Sequence, residues 1–222
     1  MPTVKKGDFV EVEYTGIIKE DNLIFDTTDM EVAKANGLYN EKMEYGPVVV
    51  CLGEGQLLEG LEVELGGKEI GKDLTIELTA EKAFGKKDAK LIRMIPYSSF
   101  KKQNIEPQPG MQVNVDGVLG IIKTAAGGRC LVDFNHPLSG KDILYKIKIN
   151  RIVTDNAEKI KSYLKLNLNL KSNVTITEDA AEIKIKKEIP KEISGDIEKK
   201  LKEIVPSVKK LDFVVEKESA KK

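Results

Sequence analysis

One interrupted strand constrains this chain more than any other feature. "LTIEL" (residues 74–78) reads as an apolar sheet strand, runs on into Ala83-Phe84-Gly85, and then gives way to Lys86, Lys87 and Lys90. About fifty residues later, "NHPLSGKDILYKIKINRIV" (residues 135–153) resumes a strand pattern. Either these are unrelated elements, or they are two halves of one site with something inserted between them.

Charge marks off the same stretch. Residues 1–85 carry eight basic and eighteen acidic side chains, whereas residues 86–134 carry eight and four. The net charge of the chain is zero, and no segment is basic enough to make nucleic acid the default partner. At 222 residues with 41% hydrophobic side chains, the chain can bury a sizeable core. No stretch approaches the roughly 20 apolar residues of a membrane span. The start, "MPTVKKGDFVEVEY", alternates charge and does not resemble a signal peptide. Cys51 and Cys130 lack zinc or redox spacing, and Cys51 inside "VVVCLG" reads as a small core residue. A cytoplasmic protein with reduced thiols is expected.

Periodicity then sorts the chain. "DFVEVEYTGII" alternates like a half-buried strand, and "NLIFDTT" follows after a turn at "KEDN". Residues 29–46 read as a surface insertion with a short helix around "EVAKA". "VVVCLG" and "KDLTIELT" are strands, and "GQLLEGLEVEL" predicts a helix with Leu57, Leu58, Leu61 and Leu65 on one face. With "DILYKIKINRIV" these make an α+β domain, an antiparallel sheet packed on one short helix. Within residues 86–134, "GMQVNVD", "VLGIIKT" and "RCLVDF" predict short strands, as in a small β-barrel. Residues 155–222 predict a third, small α+β module: a helix near 156–166, strands near 173–177 and 181–187, a helix near 193–204 and a strand near 210–216, with Pro190 and Pro206 at boundaries.

Chemistry-bearing residues are few. His136 stands alone, so neither a histidine triad nor a multi-histidine metal site can form, and its place beside Pro137 favours a structural role. "GEGQLLEG" fails as a dinucleotide motif, because the third glycine of G-x-G-x-x-G falls on Leu58. There is no phosphate-binding P-loop and no carboxylate pair that can be placed together. What remains is an apolar and aromatic set along the first domain: Tyr14, Phe25, Asp26, Val48, Leu57, Leu58, Leu61, Phe84, Leu138 and Tyr145. Taken singly, each reads as core.

Taken in order, the motifs "VEYTGIIKEDNLIFDTT", "LGEGQLLEGLEVELGGKEIGKDLTIELTAEKAFG" and "NHPLSGKDILYKIKINRI" resemble the FKBP-type peptidyl-prolyl isomerases from residue 4 to residue 153. The break at 86–134, with A-F-G before it and N-H-P-L-S-G after it, is similar to the insert-in-flap domain of SlyD-like members, and the long archaeal type is the nearest pattern. The resemblance implies a discontinuous isomerase domain (1–85 and 135–154), an insert-in-flap domain (86–134) and a C-terminal domain (155–222). It implies a pocket of the ten residues above. In it Tyr14 orients Asp26, Leu57 and Leu58 offer backbone groups, and Phe84, Leu138 and Tyr145 line one site. Two positions depart from the common pattern: Leu61 replaces a floor tryptophan, and Phe84 lacks a tyrosine hydroxyl. Lower activity on short peptides and weak affinity for macrolide ligands are therefore expected. No cofactor is implied, and no metal, since the tail "VVEKESAKK" lacks histidine.

A reading from another class treats the protein mainly as a binding module for unfolded chains. It rests on "KLIRMIPYSSF" (residues 90–100), where Leu91, Ile92, Met94, Ile95, Tyr97 and Phe100 crowd apolar groups together. Proline-containing unfolded polypeptides are the partners expected under both readings. Residues 155–222 further suggest a homodimer. Ile160, Leu164 and Leu168 form one helical stripe and Ile193, Ile197, Leu201 and Ile204 another, and the alternative is that the stripes bury one another.

Overall fold

A computed structural model describes residues 2–186 and 189–215. In chain order the elements are β1 (Phe9–Ile18), β2 (Leu23–Thr27), α1 (Met30–Ala35), β3 (Val48–Cys51), α2 (Glu59–Leu65) and β4 (Asp73–Leu78). They continue as β5 (Ile92–Pro96), α3 (Tyr97–Lys101), β6 (Gln112–Val115), β7 (Val118–Ala126), β8 (Arg129–Asp133) and β9 (Ile143–Ile152). The chain ends with α4 (Asn156–Leu168), β10 (Ser172–Thr177), β11 (Ala180–Ile185), α5 (Lys191–Ile204) and β12 (Lys210–Val215). These fall into two compact units, Met1–Leu78 with Ile143–Lys222, and Thr79–Asp142.

The interrupted strand resolves as one sheet. β4 pairs antiparallel with β9 from Asp73↔Lys148 to Leu78↔Ile143, so the chain leaves and re-enters the first unit at register partners. The sheet runs β2-β1-β9-β4, with β3 also on β1. Its alternation buries Val10 and Val12 on β1, Ile76 and Leu78 on β4, and Ile143, Tyr145, Ile147 and Ile149 on β9. α2 packs against β4, with Leu61 and Leu65 fully buried.

One expectation about α2 needs correction. The helix begins at Glu59, and Leu57 and Leu58 precede it, Leu58 with an extended ψ of 134°. The cause is local. The Glu62 carboxylate accepts hydrogen bonds from the backbone N–H of Gly53 (2.9 Å) and of Leu57 (3.1 Å), which folds residues 53–57 back as a loop.

The C-terminal elements complete the first unit's core. β10 pairs antiparallel with β11, and β11 pairs parallel with β12, a parallel step that periodicity did not reveal. Ile160, Leu164, Ile183, Ile185, Ile197 and Leu201 are buried in one cluster with Phe9, Cys51 and Val153. Most of the two stripes proposed for dimerisation are therefore spent within the chain. Leu168 and Ile193 stay exposed. Residues 216–222 of the tail lie outside the described residues.

The second unit is an open sheet, β5-β8-β7-β6, rather than a barrel, because β5 and β6 do not meet to close it. Its core is Phe100, Val113, Ile122, Cys130 and Val132. At its base Asp133 is buried. Burial opposes ionisation of Asp133. The side-chain and backbone N–H groups of Asn135, followed by the ammonium groups of Lys87 and Lys123, outweigh that and hold the carboxyl below its ordinary value of 3.8. Asn135 also spans the two crossings of the unit: its Oδ1 accepts from the Asp88 N–H (2.8 Å) and its Nδ2 donates to the Asp88 carbonyl (3.0 Å).

Two outcomes follow. A group with a depressed folded pKa stabilises the fold above its unfolded pKa and loses that contribution as pH falls through the folded value. The second unit should therefore lose stability on acidification below about pH 4, and Asp133→Asn should flatten that dependence in pH-resolved thermal melts. In the first unit, Phe9→Ala should cost about 3–5 kcal/mol in denaturant unfolding, since it hollows the core that the C-terminal elements share.

Candidate active site

The β1–β9 register gives the site its plan. Gly16 is the partner of Tyr145 on one side and of Asp26 on the other, and Tyr14, two residues earlier on the same face of β1, lies beside it. The Tyr145 ring is buried at the centre. Tyr14 meets it edge-on at 5.8 Å between centroids, and Phe25 does so at 6.0 Å.

Phe25 and Asp26 are sequence neighbours, which a regular strand would send to opposite faces. The β1–β2 register slips between Gly16 and Ile17, where Gly16 pairs with Asp26 and Ile17 with Ile24. Phe25 is left over as the extra residue of a bulge. A bulge re-aims side chains locally, and here both members of the pair serve one site: the Phe25 ring contacts Tyr145, and Asp26 Oδ2 accepts a hydrogen bond of 3.1 Å from the Tyr14 hydroxyl. Burial, then the Asp26 charge and the hydrogen bond to Asp26, raise the Tyr14 phenol far above its ordinary pKa of 10. It therefore remains a hydrogen-bond donor at any working pH. Burial, then Asp26, raises Tyr145 likewise.

Gly16 is a candidate site residue that the sequence reading missed, although it stands in the quoted "EYTG". A Cβ built there would lie 2.6 Å from Phe25 Cζ and 3.1 Å from Tyr145 Cε1. Real Cβ atoms do not approach so closely, so the two rings meet over β1 because residue 16 has no side chain. The glycine was visible in the sequence; what it makes room for was not.

The remaining predicted residues take these places. Val48 opens β3 opposite Val12, Leu57 and Leu58 form the half-buried loop before α2, and Leu61 lies fully buried on α2. Phe84 and Leu138 belong to the second unit. There the His136 ring stacks on Phe84, 4.9 Å between centroids and 3° from parallel, while His136 Nδ1 accepts from the Leu138 N–H at 3.2 Å. The Ser139 hydroxyl donates to the Phe84 carbonyl at 3.1 Å, and the Gly140 N–H to the Gly85 carbonyl at 2.8 Å. The "NHPLSG" turn is thus a clamp on "AFG", and His136 is a structural member of it.

A cavity of about 900 Å³ lies elsewhere, lined by Glu13, Thr15, Lys146 and Lys148 on the other face of the sheet and by Met30, Tyr39, Met43 and Tyr45 of the 29–46 insertion. Tyr14 is the one predicted site residue on its wall. The aromatic cluster, which combines convergent rings with a half-buried hydrogen-bonded carboxylate, is the better candidate for chemistry.

In the second unit the six expected client-binding residues separate. Phe100 is only 3% exposed and belongs to the core, with Ile95 and Tyr97 packed against it. Leu91 and Ile92 are half-buried, and Met94 is 64% exposed. Val118 and Leu119, which had not been singled out, are exposed as well. Among the described residues no group of three or more His, Cys, Asp or Glu could hold a metal ion, and no helix is long and apolar enough to cross a membrane.

A family model described as FKBP-type peptidyl-prolyl cis-trans isomerase matches residues 1–100, and one described as FKBP26, IF domain, matches residues 93–138. A short-type peptidyl-prolyl cis-trans isomerase of Methanocaldococcus jannaschii is 36% identical over 155 residues, which cover 70% of this chain and 98% of that protein. The chain belongs to the FKBP-type peptidyl-prolyl cis-trans isomerases. The Aeromonas hydrophila isomerase SlyD is 30% identical over 162 residues, 68% of this chain and 65% of SlyD. An FKBP-type 16 kDa isomerase of Escherichia coli is 33% identical over 111 residues, 48% of this chain and 74% of that protein. With its insert-in-flap domain, this FKBP is of the SlyD-like kind.

For this FKBP, Gly16→Ala should push the Phe25 ring aside and lower isomerase activity on the order of tenfold or more in a peptide isomerisation assay. The far-ultraviolet circular dichroism should stay unchanged. Tyr14→Phe, which removes one hydrogen bond to a carboxylate, should lower activity roughly tenfold or more, the equivalent of about 1.5 kcal/mol or more.

Proposed function

We propose that this FKBP isomerises X-Pro bonds of unfolded polypeptide clients in the cluster formed by Tyr14, Phe25, Asp26, Val48, Leu57, Leu58, Leu61 and Tyr145. The observation that carries this reading is the meeting of Phe25, Tyr14 and Tyr145 over the bare Gly16.

The reaction needs no nucleophile. The barrier of about 18–20 kcal/mol comes from the partial double-bond character of the C–N bond. The planar imide is strongly dipolar, and the twisted state has lost that resonance and part of the dipole. A pocket that strips water from the imide with apolar walls favours the twisted state over the planar one. Phe25, Leu61 and Tyr145 supply those walls. The Tyr14–Asp26 pair supplies a fixed polar edge that orients the chain. The chemistry moves no proton.

Client holding is assigned to the second unit. Met94, on edge strand β5, presents an adaptable apolar group beside backbone that, among the described residues, pairs only with β8. An extended client can add to such an edge. Phe84 and Leu138 are proposed as further client contacts of that unit. Weak macrolide binding, a cytoplasmic location, and a homodimer through what the C-terminal elements leave exposed (Leu168, Ile193, Val214 and Val215) complete the proposal.

Two assays test it. In a protease-coupled assay at low temperature, the wild type should accelerate cis–trans exchange, and a folded Phe25→Ala/Asp26→Ala variant should not. Deletion of residues 86–134 should spare short-peptide isomerisation and abolish suppression of client aggregation. Loss of both activities together, or of neither, would contradict this division. Light scattering at micromolar concentration decides the dimer.

A further inference from the structure

The C-terminal elements touch the isomerase site indirectly, through the loop that carries Leu57 and Leu58. β3 enters that loop with alternating faces. Val50 is buried on one, while Val49 and Cys51 on the other lie in the core shared with α4, β11 and α5. The loop itself is loose by composition. Gly53 and Gly55 sit at φ +94° and +67°, conformations that suit glycine and bring its freedom with them. Something must hold it, and three side chains do so.

From within, Glu62 accepts from the N–H groups of Gly53 and Leu57. The Gln56 side chain accepts from the Cys51 N–H at 2.7 Å, closing the loop across its base, and its Nε2 donates to Oδ1 of Asn167 in the last turn of α4. Glu54 Oε2 lies 2.9 Å from Nζ of Lys200 on α5. With side chains only 18% and 33% exposed, that pair is less screened than a surface ion pair. Both outer anchors, Asn167 and Lys200, come from the C-terminal elements. They grip residues one to four positions before the Leu57–Leu58 rim.

We infer that Asn167 and Lys200 are positioning residues of the isomerase site: by fixing Gln56 and Glu54 they pre-organise the Leu57–Leu58 loop for the client chain. A loop ordered before binding need not be ordered by the client, and affinity rises accordingly. The aligned M. jannaschii isomerase is spanned almost end to end while about 30% of this chain has no counterpart in it. Here the C-terminal elements add a grip on the loop. This inference rests on the isomerase site as placed above.

The test uses the full chain. Asn167→Ala/Lys200→Ala should raise KM for a prolyl peptide about three- to tenfold with kcat little changed, the pattern of lost uniform binding. Amide exchange at Gly55–Leu58 should quicken while the melting temperature stays near that of the wild type. Asn167→Asp/Lys200→Arg, which keeps an acceptor and a cation in place, should restore KM. An unchanged KM with unchanged loop exchange would overturn the inference. So would activity that falls only in step with a lowered melting temperature and is not rescued by the conservative pair. An inactive wild type would instead refute the isomerase site, and the exchange measurement would still decide whether these residues order the loop.

Discussion

The pairing of β4 with β9 is the contact on which the rest of the molecule depends. It joins Leu78 to Ile143 across an intervening unit, and from that closure onward Ile76, Tyr145 and Gly16 fall into register across three strands. Loop-closure entropy grows only slowly with the length of chain between the partners. A stretch as long as Thr79–Asp142 can therefore be inserted between adjacent strands, provided it brings its own core. Phe100, Ile122 and Val132 show that it does.

The candidate active centre is built by small departures from regular strand geometry. One missing Cβ at Gly16 and one bulge at Phe25 turn an ordinary antiparallel ladder into a site where three rings converge beside a hydrogen-bonded carboxylate. Neither departure brings a reactive group, which suits a reaction whose barrier is electronic resonance and whose catalyst must replace water with shape and a fixed dipole. The polar members act through persistence. Burial keeps the Tyr14 phenol protonated, so it stays a donor to the Asp26 carboxylate.

The C-terminal elements play a double part in the first unit. They cover the outward side of β3 with an apolar core that includes Phe9 and Cys51, and burial, followed by the nearby Glu54 and Glu62 charges, pushes the Cys51 thiol up to about 12. That keeps the thiol inert. Beyond that core, individual polar contacts reach into the loop before α2. The stripes at Ile160/Leu164 and Ile197/Leu201 read from sequence as a surface awaiting a partner, and their partner is their own chain.

Much was legible in the residues. Alternation along "VEVEYTGII" and "ILYKIKINRI", the order of the motifs, and the break flanked by "AFG" and "NHPLSG" determined the sheet, the family and the insertion, because strand periodicity and turn chemistry are local properties. Tyr14, Phe25, Asp26 and Tyr145 were singled out by the resemblance of the ordered motifs to the family, since periodicity alone reads each of them as core. Other features depended on contacts between residues distant in sequence. Tertiary packing decided that Gly16 is a steric requirement, that Phe100 is core while Met94 faces solvent, and that Leu57 and Leu58 leave the helix because Glu62 captures the loop's amides. It also decided that α4 packs against β3 and that α5 buries its apolar face in the same core. Periodicity shows that a face is apolar; only the folded chain shows what covers it.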